Sequence, residues 1–229
     1  MNSKNQPLKI VIVGAGGFGR EVLSTLYDCN KQNKKYNITG FVDEKKSLEG
    51  QMINGITVLG GLDWFVTKIG LTVNCVVAIG DSIVRQKVVK KLEKLNVKFT
   101  TIIHPSVTLS KFVELGEGTI IQAGSIIMPN TKLGKHVIIN MDCSIAHDCN
   151  LNDYVTLSPG AHINGDNILE RGVYVGAGTV TKDELRIRKW SIIGAGTVLI
   201  KNVPEYALYV GVPGKLKKKV KTMKSRPKL

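Results

Sequence analysis

From Leu109 to Leu199 an aliphatic side chain returns at every sixth position, without an insertion, and Thr181 is the one member of the series that is not aliphatic. Two places before each member the residue is mostly small or β-branched, and the residue after it is often Gly, Asn or Ser. A period of six fits neither the 3.6-residue turn of an α-helix nor the two-sided alternation of a strand. It fits a solenoid of short strands and turns whose aliphatics fill one axial core. A sandwich of regularly spaced strands is the alternative, but sandwiches vary their loop lengths and lose such a phase. Three units make a triangular coil of 18 residues, so residues 18 apart stack in columns at the ~4.8 Å of neighbouring strands.

Ahead of the solenoid the pattern is different. Lys9–Val13 (KIVIV) reads as a buried strand and runs into Gly14, Ala15, Gly16, Gly17, Phe18 and Gly19, a GxGxxG that opens a helix over Arg20–Tyr27. Such glycines allow a tight turn and close approach of a phosphate to a helix N-terminus. A second strand over Ile38–Val42 ends at Asp43, placed for a ribose hydroxyl. Further strands are expected at Ile56–Leu59, Val73–Ile79 and Lys98–Thr101, with a helix over Ser82–Leu95; Gly80 follows a strand at the edge where such sheets bind ligands. A tight packing turn with no ligand is the bland reading of the motif. The α/β pattern stops near His104, about half of a dinucleotide fold, which suits a nucleotide or nucleotide sugar better than a nicotinamide cofactor.

His104-Pro105-Ser106 marks the boundary. The expected organisation is a Rossmann-like α/β half-domain over residues 1–103, an all-β parallel helix over 104–203, and a basic extension over 204–229. Pro204 and Pro213 are expected to stop strand pairing.

Charge narrows the partners. The chain has 229 residues and a formal charge of +14, and residues 215–229 carry eight basic side chains and no acid. That balance points to anionic ligands. No aromatic residue interleaves the terminal lysines and no nucleic-acid fold accompanies them, so nucleic acid is not an expected partner; the tail reads as mostly solvated, with its first lysines near a phosphate site. No apolar run approaches the ~18–20 residues of a membrane span, and the first residues lack the pattern of a signal peptide. Cys29, Cys75, Cys143 and Cys149 form no CxxC pair, which predicts reduced thiols, a cytoplasmic setting and no structural zinc.

One column carries candidate chemistry. His147 stands two places after Ile145, at a turn and pointing outwards, with Pro129 one coil before it and Gly165 and Asp183 in the following coils. An outward imidazole beside a glycine N–H suits acyl transfer: the ring takes the proton from an attacking amine or hydroxyl, and the amide steadies the oxyanion. Asp148 is placed to orient and polarise the ring. A plain surface histidine is the competing reading, and nothing lifts His136 or His162 above it. Asp183 reads as solvated.

The hexapeptide solenoid, the SIAHD segment around His147 and the GVPGK near the end resemble the left-handed β-helix acetyltransferases. Together with VGAGGFGREV, they resemble bacterial sugar acyltransferases of the sialic acid O-acetyltransferase and bacillosamine/perosamine N-acetyltransferase type, over nearly the whole chain. The resemblance implies a left-handed coil, an exception to the usual right-handed crossover, and a homotrimer with active sites between subunits. It implies acetyl-CoA as co-substrate and no metal. His147 then matches the general base, Asp148 its acidic partner, and Gly165 the glycine whose N–H faces the thioester carbonyl. Gly14, Gly16, Gly17, Arg20 and Asp43 match the pocket for the nucleotide end of the sugar, at the sheet edge that also holds Gly80. Coenzyme A would lie near Gly165, Ala177, Gly178, Ala195 and Pro213, with Lys201 and Lys215 as phosphate partners. Two positions depart from the pattern: Thr156 stands where some N-acetylating members have a second histidine, and Gly214 where alanine is usual.

The expected activity is acetyl-CoA-dependent N-acetylation of a nucleotide-linked 4-amino-deoxy sugar for surface glycan biosynthesis, by direct attack without an acyl-enzyme. The alternatives are O-acetylation of a sugar of the sialic acid type, and a nucleotide-binding trimer without catalysis.

Overall fold

The computed structural model describes residues 6–68 and 73–220, and its contacts divide the chain into two units between Pro105 and Ser106.

In the first unit, β1 (Leu8–Val13), α1 (Gly17–Asn30), β2 (Tyr36–Val42), β3 (Met52–Ile53), β4 (Ile56–Thr57), β5 (Asn74–Val77), α2 (Ser82–Glu93) and β6 (Lys98–Phe99) follow in order. Four of them form a parallel sheet in the order β2-β1-β5-β6. Ile10, Val11 and Ile12 have no exposure, as a strand covered on both faces requires, and this is why β1 reads as a continuous apolar run. The first helix begins at Gly17, inside the glycine motif, and continues to Asn30, longer at both ends than the Arg20–Tyr27 expected. Asp81 caps α2, its carboxylate accepting the Ile83 and Val84 N–H groups at 2.8 and 3.0 Å, which satisfies donors that a helix start leaves free.

Residues 56–59 pair on two sides. Ile56–Thr57 runs antiparallel with Met52–Ile53 in a hairpin, and Val58 makes a single parallel bridge to Phe41 of β2, where the Leu59 N–H donates to the Phe41 carbonyl at 2.8 Å. Asn54 and Gly55 form the turn of the hairpin, both with positive φ (50° and 80°), and Asn-Gly is the pair that a two-residue hairpin turn favours. A short 3₁₀ helix over Leu62–Lys68 follows.

The second unit is a parallel solenoid. Two-residue strands recur every six residues from Thr108–Leu109 to Val198–Leu199, and each pairs with the strand one coil away, as Ile127 with Ile145 and Ile145 with Ile163. Past the first two coil positions, where Leu109 is exposed and Leu115 half-buried, the inward aliphatics are sealed: Ile127, Ile145, Leu151 and Val175 have no exposure. One corner is an aromatic stack. The His136 and Tyr154 rings lie 5.5 Å apart at 11°, and Gly118 and Gly172 leave the room that the His136 and Trp190 rings occupy.

Two strands extend the solenoid beyond the prolines expected to end pairing. Ala207–Val210 pairs parallel with Ile192–Ile193, and Lys215–Lys219 returns antiparallel along it. Pro204 and Pro213 each precede a strand and lie within neither, so no ladder donor is lost. Lys215–Lys219 is a fully exposed edge strand, with the charged side chains that discourage further pairing. The rest of the basic tail, from residue 221, lies outside the described residues. No helix among the described residues is long and apolar enough to cross a membrane.

Candidate active site

The first unit carries a cavity of about 410 Å³ that collects Gly14, Gly16, Gly17, Asp43 and Gly80, five of the predicted binding residues. The backbone there needs glycine. Gly14 has φ +105°, and a Cβ would meet the Ala78 carbonyl oxygen at 2.8 Å; a Cβ on Gly19 would run into the Gly14 carbonyl. Asp43 does more than face a ligand. Its Oδ2 accepts the Ala15 N–H at 2.8 Å and its Oδ1 the Lys45 N–H at 2.9 Å, so the carboxylate pins the glycine loop. Arg20 is not among the lining residues, whereas Glu44, Phe18 and Leu62 are. The buried Arg85 donates to the Ile79 and Gly80 carbonyls at 2.6 and 3.1 Å and so fixes the Gly80 wall.

In the second unit, His147 stands at a solenoid corner with its side chain 61 % exposed. Its Nδ1 lies 2.9 Å from Asp148 Oδ2, which leaves Nε2 facing out to accept a proton when Nδ1 carries the hydrogen. Asp148 is in turn held by Asn130, whose Nδ2 donates to Asp148 Oδ1 at 3.0 Å. The Asn130 amide and the His147 ring hold the Asp148 carboxyl below the usual carboxylate range. Asp166 Oδ2 approaches the same Nδ1 at 3.9 Å, so one nitrogen and two carboxylates converge within 4.8 Å.

Gly165 lies against the imidazole: a Cβ there would stand 2.8 Å from His147 Cε1 and 3.0 Å from Nε2. Its N–H is already engaged, donating to Asp183 Oδ1 at 2.9 Å. Asp183 is therefore a hydrogen-bond partner of the predicted oxyanion donor, where the sequence reading left it solvated. Beneath this turn sits a polar plug. Asn167 is fully buried; its Nδ2 reaches the Asn164 carbonyl at 2.7 Å, Thr181 Oγ1 at 3.2 Å and the Lys182 carbonyl at 2.9 Å, and its Oδ1 accepts the Leu185 N–H at 3.2 Å.

The predicted coenzyme A contacts fall on two edges of the solenoid. Lys201 belongs to the column of His147, Gly165 and Asp183, whereas Ala177, Gly178 and Ala195 belong to another corner. That corner is exposed, and nothing lies within 4 Å of where a Cβ would stand on Gly178 or Gly196, which leaves an open strip of backbone. Pro213 and Lys215 are exposed, the lysine as the first residue of the last strand. Asn130, Asp166 and Asn167 were not singled out from sequence. Asn167 and Thr181 had one signal: each places a polar side chain in an inward series of otherwise apolar or small residues.

Residues 9–92 match the PglD N-terminal domain family. The chain is 35 % identical over 187 residues to GDP-perosamine N-acetyltransferase of Escherichia coli O157:H7, covering 81 % of this chain and 82 % of that protein. In fold it resembles PerB from Caulobacter crescentus, solved in complex with CoA and GDP-perosamine, with a TM-score of 0.83 at 29 % identity over 92 % of this chain and 97 % of that one. WeeI from Acinetobacter baumannii gives a TM-score of 0.83 at 34 % identity, over 91 % and 99 % of the two chains. The solenoid shared with these proteins is the left-handed parallel β-helix.

Proposed function

This chain belongs to the GDP-perosamine N-acetyltransferase family, and from that premise we propose that it transfers the acetyl group of acetyl-CoA to the amine of a nucleotide-linked amino sugar. The observation that carries the reading at the level of the site is the 2.9 Å contact of His147 Nδ1 with Asp148, on a corner where Gly165 gives the ring its space. The amine nitrogen attacks the thioester carbonyl carbon; the N–C bond forms and the C–S bond breaks. His147 Nε2 takes the proton the amine loses and passes it to the leaving thiolate, so no acyl-enzyme is needed. The Gly165 N–H steadies the oxyanion once the thioester oxygen has replaced Asp183 on it.

The cavity around Gly14, Asp43 and Gly80 takes the nucleotide end of the sugar. Coenzyme A runs along the open strip of Ala177, Gly178 and Ala195, its phosphates met by Lys201 and Lys215. Because these groups occupy two edges of one solenoid, a single chain offers the thioester only half of its contacts. A homotrimer, in which one subunit's edge faces the next subunit's, supplies the other half. The free cysteines favour a reducing, cytoplasmic setting. Thiol release from acetyl-CoA in the presence of UDP-, dTDP- and GDP-linked 4-amino sugars tests the reading: turnover on an amino sugar supports it, and turnover confined to free sialic acid replaces it with O-acetylation.

A further inference from the structure

We propose that Asn130 is a positioning residue for the His147 base, fixing Asp148 so that one carboxylate oxygen faces Nδ1 and the imidazole keeps its free lone pair on Nε2. The inference rests on the acetyltransferase reading for its kinetic consequence, and on geometry alone for its structural one.

Asp148 is exposed, and a free carboxylate on a surface turn rotates. Here each of its oxygens has a separate partner: Oδ1 takes the Asn130 amide at 3.0 Å and Oδ2 meets His147 Nδ1 at 2.9 Å. With both oxygens engaged, the carboxylate plane is set by two directions. The amide can only donate to that oxygen, so it favours the ionised acid. An ionised acid can only accept, and it therefore places the hydrogen of a neutral imidazole on Nδ1.

The need for a clamp is visible in the surroundings. Asp166 Oδ2 stands 3.9 Å from the same Nδ1, and Asp183 sits on the Gly165 N–H beside the ring. Two further carboxylates thus stand beside the Asp148–His147 pair, Asp166 at the ring and Asp183 at the adjoining glycine. Without Asn130 the exposed Asp148 carboxylate rotates, Nδ1 loses its fixed acceptor at 2.9 Å, and Asp166 at 3.9 Å is too distant to replace it.

Backbone conformation gives a competing explanation for an asparagine here. Asn130 and Asp148 stand 18 residues apart in one corner column with φ of 61° and 57°, and asparagine tolerates that region better than most residues. Substitution by glycine separates the two, because Asn130→Gly keeps the backbone conformation and removes only the amide.

The experiment combines imidazole ¹⁵N chemical shifts with a double-mutant cycle. In the unmodified protein at pH 8 the shifts are expected to show His147 protonated on Nδ1, and in Asn130→Gly a mixture of tautomers. With an acceptor that turns over, Asn130→Gly lowers kcat about tenfold, the rate equivalent of one charge-assisted hydrogen bond, with both KM values within about twofold. The same change made in Asp148→Ala costs nothing further, because Asn130 acts through Asp148. Asn130→Asp, which keeps the size of the side chain but faces Asp148 with a second carboxylate, loses at least as much and serves as the second variant if the glycine form folds poorly. An unchanged tautomer in Asn130→Gly, or a full additional loss in the Asp148→Ala background, overturns the proposal. If no acceptor turns over, the acetyltransferase reading has failed, and the tautomer comparison still decides the role of Asn130.

Discussion

Asp183 Oδ1 lies 2.9 Å from the Gly165 backbone nitrogen and accepts its hydrogen. The amide proposed to steady the oxyanion thus has a resident carboxylate, which a thioester oxygen would have to displace. Asp183→Ala removes that competitor, and KM for acetyl-CoA is expected to fall about threefold to tenfold with kcat held, the range of one exchanged hydrogen bond. Steady-state kinetics at saturating acceptor check this. A loss of kcat in Asp183→Ala means instead that the carboxylate contributes to the chemistry.

Gly165 is needed for space. An alanine methyl would stand 2.8 Å from His147 Cε1, closer than carbon atoms pack, and the exposed ring is what gives way. Gly165→Ala is expected to cost about 10² in kcat/KM, the penalty for misplacing a reacting group by an ångström, with the thermal midpoint unchanged. A fully active Gly165→Ala protein removes the close approach from the account.

The plug beneath that turn matters for stability. Asn167→Val deletes four donor contacts, to the Asn164, Gly165 and Lys182 carbonyls and to Thr181 Oγ1, and leaves the buried Leu185 N–H without its Oδ1 partner. Urea unfolding is expected to show a loss of about 2–4 kcal/mol, the range for breaking a buried hydrogen-bond network. A loss within ±0.5 kcal/mol, typical of a surface change, contradicts the role given to Asn167.

Buried thiols give the fold a pH dependence. Burial pushes Cys143 and Cys149 up to about 11 from the 9.0 of a free thiol. Between pH 9.0 and about 11 the unfolded chain therefore releases protons that the native chain retains, and stability falls as pH rises through that window. Unfolding midpoints at pH 8 and pH 10 read the effect, and Cys143→Ala with Cys149→Ala is expected to lessen it, the buried Cys75, whose thiol is also pushed up by burial, keeping the rest. A slope unchanged by the double substitution excludes these thiols as its source.

The solenoid was legible because its determinants are local: a six-residue phase fixes strand, turn and inward face within each coil, and stacking only repeats them. The same arithmetic brought Gly165 against His147. It could not say which way side chains in one column lean, so Asp183 was read as solvated and Asn130 went unnoticed. For Asp43 the sequence suggests only the ligand-facing role; its hold on the Ala15 N–H depends on the register of β1 against β2 and comes in addition. Asn54-Gly55 is itself a hairpin signal in the sequence, between two short apolar runs. The strand over Lys215–Lys219 was hidden by its charge: a run of lysines carries no apolar periodicity, and backbone pairing alone makes it a strand.

The most direct measurement is thiol release from acetyl-CoA on nucleotide-linked 4-amino sugars, comparing the unmodified protein with His147→Ala. Turnover of an amino sugar is expected, with a loss of roughly 10²–10⁴ in kcat on removing the imidazole and the oligomer intact. An acceptor acetylated equally well by the His147→Ala protein would take the histidine out of the mechanism.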